Sequence, residues 1–240
     1  MYQYKLTFKL EKKCLPRTYD KILVSFLKAS AQAYAAEFYN GLYDKSKSII
    51  KNYTFSCYLP GAKFLGEQIV LDRNEYTLFF SDADPIELLQ FFNGFQKMKY
   101  KKYPMNGNSM ELVSIHMQQM HEIKENEIVI RMQSPLLVRR HDADHNTDRY
   151  YTYDMEEFND VLKENVLFFL KKTDRNISAD DFSIQVIKGK KVVVPILGRN
   201  TDASLGVYKL TGSVELLNLL YLAGIGVRRS LGKGKWEVIA

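Results

Sequence analysis

The sequence predicts an α+β protein made of two successive β-α-β-β-α-β units. Three observations point to that class. Short runs of period-two alternation are interleaved with runs of helical, period-3.6 amphipathicity. The order of these runs in the first half (strand, helix, strands, helix, strand) recurs in the second. The last seventeen residues then place a glycine-rich, cationic loop between an apolar helical run and a closing strand. A chain of 240 residues has room for two domains of about 100–120 residues each.

Residues Tyr2–Leu10 alternate and read as a strand. Pro16 and Thr18 open a helix with an apolar stripe of Ile22, Leu23, Phe26, Leu27, Tyr34 and Phe38, expected to run out near Asn40-Gly41. Strands are expected at Tyr53–Leu59, Glu67–Leu71 and Tyr76–Phe80. Asp84-Pro85 starts a second helix carrying Leu88, Leu89, Phe92 and Phe95, and Leu112–Ile123 returns as extended chain.

The second half opens with a strand over Glu127–Arg139. A helix over Met155–Leu170 turns Phe158, Val161, Leu162, Val166 and Phe169 inward. Phe182–Ile187 and Lys191–Ile196 read as a hairpin around Lys188-Gly189-Lys190, and Leu205–Leu210 as another strand. Ser213 caps a helix through Leu216, Leu217, Leu220 and Tyr221, with Glu215 in its first turn. Trp236–Ala240 closes the chain as a strand. The pattern fits two tandem ferredoxin-like units with extra hairpin strands. The boundary is placed at Lys124-Glu125-Asn126, giving domains 1–124 and 125–240 with no low-complexity linker.

A hydrophobic fraction of 46% is ordinary for a globular chain. No apolar run reaches the roughly 18–20 residues that span a bilayer, and the N-terminus lacks a signal-peptide core. The expectation is a cytoplasmic protein with no membrane partner. Cys14 and Cys57 match neither a metal spacing nor a disulfide framework and are expected to be small buried hydrophobes.

The net charge of +6 favours a polyanionic partner. Its distribution says more. Lys45, Lys47, Lys51 and Lys63 share an acid-free stretch. Lys97, Lys99, Lys101 and Lys102 form a second cluster with Tyr100 and Tyr103, Arg139-Arg140 a third, and the C-terminal loop a fourth. Basic clusters interleaved with aromatics suit a groove that tracks a nucleic-acid backbone, although each alone is often a solvated face.

The C-terminal loop packs four glycines and four cations into the twelve residues Gly224–Lys235. Glycine lets backbones approach closely and turn their N–H groups outward, and a row of such groups beside Arg and Lys binds anions. His141 and His145, with Asp142 and Asp144, lie in what reads as a polar loop. Their spacing could hold a metal, but no partner cluster is visible elsewhere, so a solvated loop is expected. A catalytic histidine from this loop ranks second, and His116 and His121 read as structural.

These residues carry a resemblance. The helix, glycine-rich loop and strand of Leu216–Val238, especially Gly224-Ile225-Gly226 and Ser230-Leu231-Gly232-Lys233-Gly234, resemble the RAMP superfamily of CRISPR proteins. Tyr53-Thr54-Phe55-Ser56 and Ser134-Pro135-Leu136-Leu137-Val138-Arg139 are similar to strands of one family within it, the endoribonuclease that cuts precursor CRISPR RNA within its repeats. The resemblance covers essentially the whole chain. It implies cleavage without a metal or other cofactor: the ribose 2′-OH attacks the adjacent phosphate, the 5′-oxygen leaves, and a 2′,3′-cyclic phosphate remains. Such a reaction wants a base, an acid and cations on the developing charge.

Many members of that family place a histidine near the end of the first helix and a lysine soon after. No histidine precedes His116 here. Tyr39 occupies the matching position and Lys45 follows it. A tyrosine of ordinary pKa near 10 is a poor base at neutral pH. The resemblance therefore implies a catalytic set of Tyr39, Lys45, Lys51 and Arg229, working mainly through positive charge. The implied RNA-binding set is Lys47, Arg139, Arg140, Gly224, Gly226, Arg228, Gly232, Lys233, Gly234 and Lys235. The implied partners are CRISPR repeat RNA or precursor crRNA and a CRISPR effector complex, with the protein a monomer or homodimer. Two rivals stay open: a non-cleaving RNA-binding subunit of such a complex, and a metabolic ferredoxin-like enzyme, which would not need four basic clusters.

Overall fold

The computed structural model describes residues 1–240 except Lys45, Asn106 and Leu197. The chain divides into two compact units. The first comprises Tyr2–Lys51 and Phe55–Met120; the second comprises His121–Ala240 together with Met1 and Asn52–Thr54.

In chain order the first unit holds β1 (Tyr2–Leu10), β2 (Cys14–Pro16), α1 (Tyr19–Tyr34), α2 (Ala36–Tyr43), β3 (Tyr53–Tyr58), β4 (Lys63–Leu65), β5 (Gln68–Val70), β6 (Glu75–Asp82), α3 (Pro85–Met98), β7 (Lys102–Met105) and β8 (Asn108–Gln119). The first residues of β3 fall in the second unit. Alternation in β1 buries Tyr4, Leu6, Phe8 and Leu10 on one face. Its partners are antiparallel β6 and β8, with Leu6 opposite Leu78 and Ile115. The sheet order is β3-β6-β1-β8-β7. Setting β7 aside, this is the ferredoxin-like order, first and third strands central.

Aromatic rings dominate the layer between sheet and helices. Phe80 and Phe91 lie 4.8 Å apart and Phe8 and Phe26 5.1 Å. Gly94 sets the approach of α3 to α1, because a Cβ there would stand 2.3 Å from the Ser30 carbonyl oxygen. Asp84 caps α3, accepting from the amides of Ile86 and Glu87. Strands β2, β5 and β4 form a separate small sheet.

The single first helix expected from the sequence is two. Ala35 is extended (φ −158, ψ 143), and Asn40-Gly41 lies inside α2 rather than ending it. Alanine is the best helix former, so local propensity gives no sign of this break. Beyond it, Phe38 packs edge-on against Phe91 at 5.0 Å.

The second unit holds β9 (Glu127–Met132), β10 (Val138–Asp142), β11 (Thr147–Tyr151), α4 (Phe158–Lys172), β12 (Ser183–Ile196), β13 (Arg199–Thr211), α5 (Val214–Ala223) and β14 (Trp236–Val238). Its four-stranded sheet runs β12-β13-β9-β14, the same order as the first unit's. All five apolar residues expected inward on α4 are buried, and the Ser213 hydroxyl accepts from the Leu216 amide at the start of α5. Among the described residues, no helix is long and apolar enough to cross a membrane.

Three local expectations are corrected. The strand expected over Glu127–Arg139 stops at Met132, short of Pro135. The polar loop expected at 139–146 is instead a β-hairpin, β10 paired with β11. Lys188-Gly189-Lys190 is no turn but the interior of the long strand β12, whose pairing with β13 shifts register between Val186 and Lys188. Glycine serves close approach there. Gly189 faces Gly206, and a Cβ on Gly189 would sit 2.1 Å from the Tyr153 ring.

Candidate functional site

The glycine-rich loop begins where α5 ends, at Gly224 (φ 79), passes through a short 3₁₀ turn at Arg229–Leu231, and feeds β14. Its backbone is bonded inward. Ile225 donates to the Gly234 carbonyl, Gly234 to Pro135 and Val227 to Leu137, each at 2.9 Å. The Lys235 amide donates to the Ser134 hydroxyl at 2.9 Å, and its carbonyl accepts from Gln133 and Ser134. The amides of Gly224 and Gly232 go to Leu220 and Arg229. The expected row of outward N–H groups is thus not what these glycines provide. They allow backbone to lie on backbone: a Cβ at Gly234 would stand 1.8 Å from the Ile225 oxygen, and one at Gly226 2.3 Å from that of Leu137.

Three of the loop's four cations are buried as well. Arg229 is 7% exposed. Its Nη1 donates to the Ala223 carbonyl at 3.3 Å, closing the end of α5, and its guanidinium lies 3.7 Å from the Phe169 ring centroid on α4. Lys233 and Lys235 are inside the unit, and burial pulls the Lys235 ammonium down to about 7. Arg228 lines an open groove. The Thr54 hydroxyl donates to the Lys233 carbonyl at 3.1 Å. The loop is therefore bonded both to Ser134–Leu137 and to the start of β3.

In the first unit, Tyr39 on α2 lies 5.4 Å from Tyr43, ring to ring. Tyr43 has two ammonium groups over its ring, Lys28 at 5.3 Å and Lys51 at 5.6 Å. Lys51 also donates to the Ile49 carbonyl at 2.8 Å. Burial first, and then the neighbouring Lys28 charge, holds the Lys51 ammonium below its usual value, against an opposing pull from Glu87. Lys47 is exposed and sits 4.0 Å from Asp44. Lys45 lies outside the described residues.

Lys28 and Tyr43 complete this cluster and were not among the residues expected from sequence. Tyr43 is one helical turn past Tyr39, a spacing that could have flagged it. Lys28 could not be found that way, because its place beside Lys51 depends on how the segment before β3 folds back.

On the β10–β11 hairpin, Asp148 holds two partners. Arg139 Nη1 reaches one carboxylate oxygen and His141 Nδ1 the other, each at 2.8 Å. Partial burial pushes the Asp148 carboxyl up, but bonds from Arg139 and His141 outweigh it and hold it below the usual range. Arg140 forks onto Glu164. His145 pairs with Asp142. The two histidines thus have separate carboxylate partners, and among the described residues no group of three or more His, Cys, Asp or Glu could hold a metal ion. Beside the hairpin runs a groove of about 1060 Å³, lined by Arg139, His141, Arg149, Tyr150, Arg199 and Arg228 among others.

Two ferredoxin-like units, the second closed by a glycine-rich loop between its last helix and last strand, define a chain with the RAMP fold. Residues 118–238 match the family model for CRISPR associated protein Cas6, C-terminal; the chain belongs to the Cas6 family of CRISPR-associated proteins. Solved structures agree on the fold. A Cas6-related protein from Pyrococcus furiosus superimposes with a TM-score of 0.86 at 21% identity, over 99% of this chain and 98% of that one. A RAMP protein described as binding different RNA substrates gives 0.84 at 21% identity, over all of both chains. A Cas6 product complex gives 0.69 at 14% identity, over 99% of each. No curated protein matches the sequence.

Proposed function

We propose that the protein binds CRISPR repeat RNA and cleaves precursor crRNA at the repeat, without a metal, by internal attack of a ribose 2′-OH. The O2′–P bond forms, the P–O5′ bond breaks, the 2′ proton is lost, and the 5′-oxygen takes up a proton. A 2′,3′-cyclic phosphate and a 5′-hydroxyl remain. The observation that carries this reading is the pairing of Lys28 and Lys51 about Tyr43, in a chain of the Cas6 family. Two ammonium groups at one place stabilise a phosphorane-like dianion more than they stabilise the ground-state monoanion. A lysine with a lowered pKa is also a better proton donor to the leaving oxygen.

In this scheme Lys51 is the acid and Lys28 and Lys45 neutralise the phosphate. Tyr39 and Tyr43 orient the ribose. Arg229 acts as a positioning residue that fixes the glycine loop. Lys47, Arg139, Arg140 and Arg228 supply charge for the rest of the strand, and the glycines with Lys233 and Lys235 shape the loop behind it.

One observation favours a second reading, an RNA-binding subunit that does not cut: no histidine precedes His116, so the cluster in the first unit holds no imidazole. Incubating the protein with repeat RNA in EDTA separates the two. A single cleavage product ending in a cyclic phosphate supports the nuclease. A gel shift without cleavage supports the binder, and neither result overturns both.

A further inference from the structure

Two carboxyl groups of the first unit bear on its lysine–tyrosine cluster, and the scheme above uses neither. Asp82 ends β6 and is 1% exposed. Its Oδ1 accepts from the Asp84 amide at 2.9 Å. No N–H group among the described residues reaches its buried Oδ2. Its side chain is hydrogen-bonded instead to the Glu87 carboxyl. Two carboxyls in such contact hold a proton between them, because two bare carboxylates repel each other. Position decides which one keeps it. Burial first and the Glu87 charge second push Asp82 well above the usual carboxylate range, and the bond from the Asp84 amide offsets only part of this. Glu87 is in the first turn of α3, its amide donating to the Asp84 cap at 3.2 Å, where the helix end favours negative charge. Asp82 thus carries the proton and Glu87 the charge.

That charge acts on Lys51. The Ile49 carbonyl anchors Lys51 at 2.8 Å, and Lys51 shares the Tyr43 ring with Lys28. Two ammonium groups about one ring each disfavour the other's proton, and partial burial adds to this. Lys28 on α1 opposes protonation of Lys51, and Glu87 on α3 supports it. Without that support Lys51 would drift toward the neutral amine, which neither neutralises a phosphate nor gives up a proton. Two full carboxylate charges would err the other way and compete with the phosphate for the ammonium.

We propose that Glu87 is a positioning residue for Lys51, keeping its ammonium charged, and that the proton held on Asp82 limits the counter-charge to one. This role rests on the nuclease reading above and deepens it: Glu87 touches neither the phosphate nor the ribose, and it reaches the reaction only through Lys51. The buried partner lets a carboxylate stand near a catalytic cation without the second negative charge that would cancel the site's attraction for RNA.

The test reads Lys51 directly and then through the reaction. In full-length protein carrying isotope-labelled lysine, the Lys51 resonance, identified by its loss in Lys51→Arg protein, is titrated with pH. Single-turnover cleavage of repeat RNA is followed over the same range. Glu87→Gln keeps the shape and removes the charge, so the Lys51 midpoint and the alkaline limb of the rate should both move to lower pH, by about one unit. Asp82→Asn imitates the protonated acid and should leave the Lys51 midpoint within a few tenths of a unit of wild type. The double variant Asp82→Asn/Glu87→Gln leaves two amides that can still bond to each other. It should show the full shift even if Asp82 ionises in the single variant, and it serves if Glu87→Gln does not fold. A Lys51 midpoint unmoved in the double variant overturns the proposal. So does an Asp82→Asn midpoint lowered as far as that of Glu87→Gln, or a midpoint that moves while the rate limb stays. Wild-type protein that cuts no repeat RNA, with the Lys51 midpoint responding as expected, refutes the nuclease reading and leaves the hold of Glu87 on Lys51 standing.

Discussion

Thr54 donates its hydroxyl hydrogen to the carbonyl oxygen of Lys233 at 3.1 Å, across 179 residues of sequence. Both residues are buried. The same threonine crowds Gly224, where an added Cβ would meet its side chain at 3.0 Å. Since Gly234 is bonded to Pro135, the three segments by which the sequence resembles its family meet in one place.

Thr54→Val keeps the shape of that pairing and deletes the donor. The buried Lys233 carbonyl is left without this partner, so a destabilisation of about 1–2 kcal/mol is expected. Chemical denaturation with the slope unchanged would read it; a midpoint equal to wild type would show the bond to be energetically idle.

Gly234→Ala should cost far more, on the order of 3 kcal/mol or above, because its Cβ would collide with backbone at 1.8 Å and its φ is 70. Gly41 makes the control. It lies in α2 with nothing near its would-be Cβ, so Gly41→Ala should stabilise by roughly 0.5–1 kcal/mol. Paired thermal melts test both signs.

Stability should rise with pH from about 7 toward the ordinary lysine value near 10.4. The sign follows from Lys235. Its folded pKa is depressed, so in that window the unfolded chain binds the extra proton and acid favours unfolding. Below about 7 the penalty is complete and constant. Lys235→Met should flatten this slope, leaving a smaller contribution of the same sign from Lys51. A slope identical in wild type and variant would assign it elsewhere.

Lys51→Ala and Lys28→Ala should lower the single-turnover rate by about 10²–10⁴-fold while changing affinity little. No step near pH 6.5 is expected, since no histidine serves in the cluster. If Lys51 is the acid, the rate should instead fall on the alkaline side, at a pH below the usual lysine range. His141→Ala and His145→Ala should leave the rate nearly intact. A large drop from either, with binding unchanged, would move the chemistry to the β10–β11 hairpin.

Arg229→Ala should lower the melting temperature, because Arg229 closes α5 and stacks on Phe169. The destabilisation is on the order of 1–2 kcal/mol. Arg229→Lys keeps the charge without the flat guanidinium and should recover only part of it. Equal melting of all three proteins would deny the residue its positioning role.

The order of elements was legible because period-two and period-3.6 patterns are strong where one face is buried, as in β1 and α4. Turn chemistry misled at Lys188-Gly189-Lys190, since a glycine needed for close approach within a strand looks like one needed for a turn. The split at Ala35 left no local trace. In the glycine loop, composition drew attention to residues that the structure shows packed backbone on backbone, where outward amides were expected: whether an amide faces outward or another carbonyl depends on Ser134–Leu137, remote in sequence. Lys28 was invisible for the same cause, being one lysine on an ordinary helix until Lys51 folds beside it.

The closing strand also sets a schedule for synthesis. Trp236 pairs with Met132 and fills the edge beside β9, and the loop before it supplies the carbonyl that Thr54 requires. A chain leaving the ribosome N-terminus first can complete the first unit's sheet early, while Thr54 and Pro135 wait for Lys233 and Gly234 to emerge. Until then the second unit is a three-stranded sheet with an open edge, the form most prone to pair with a neighbour. Loss of Trp236–Val238 alone would thus leave that edge of β9 uncovered.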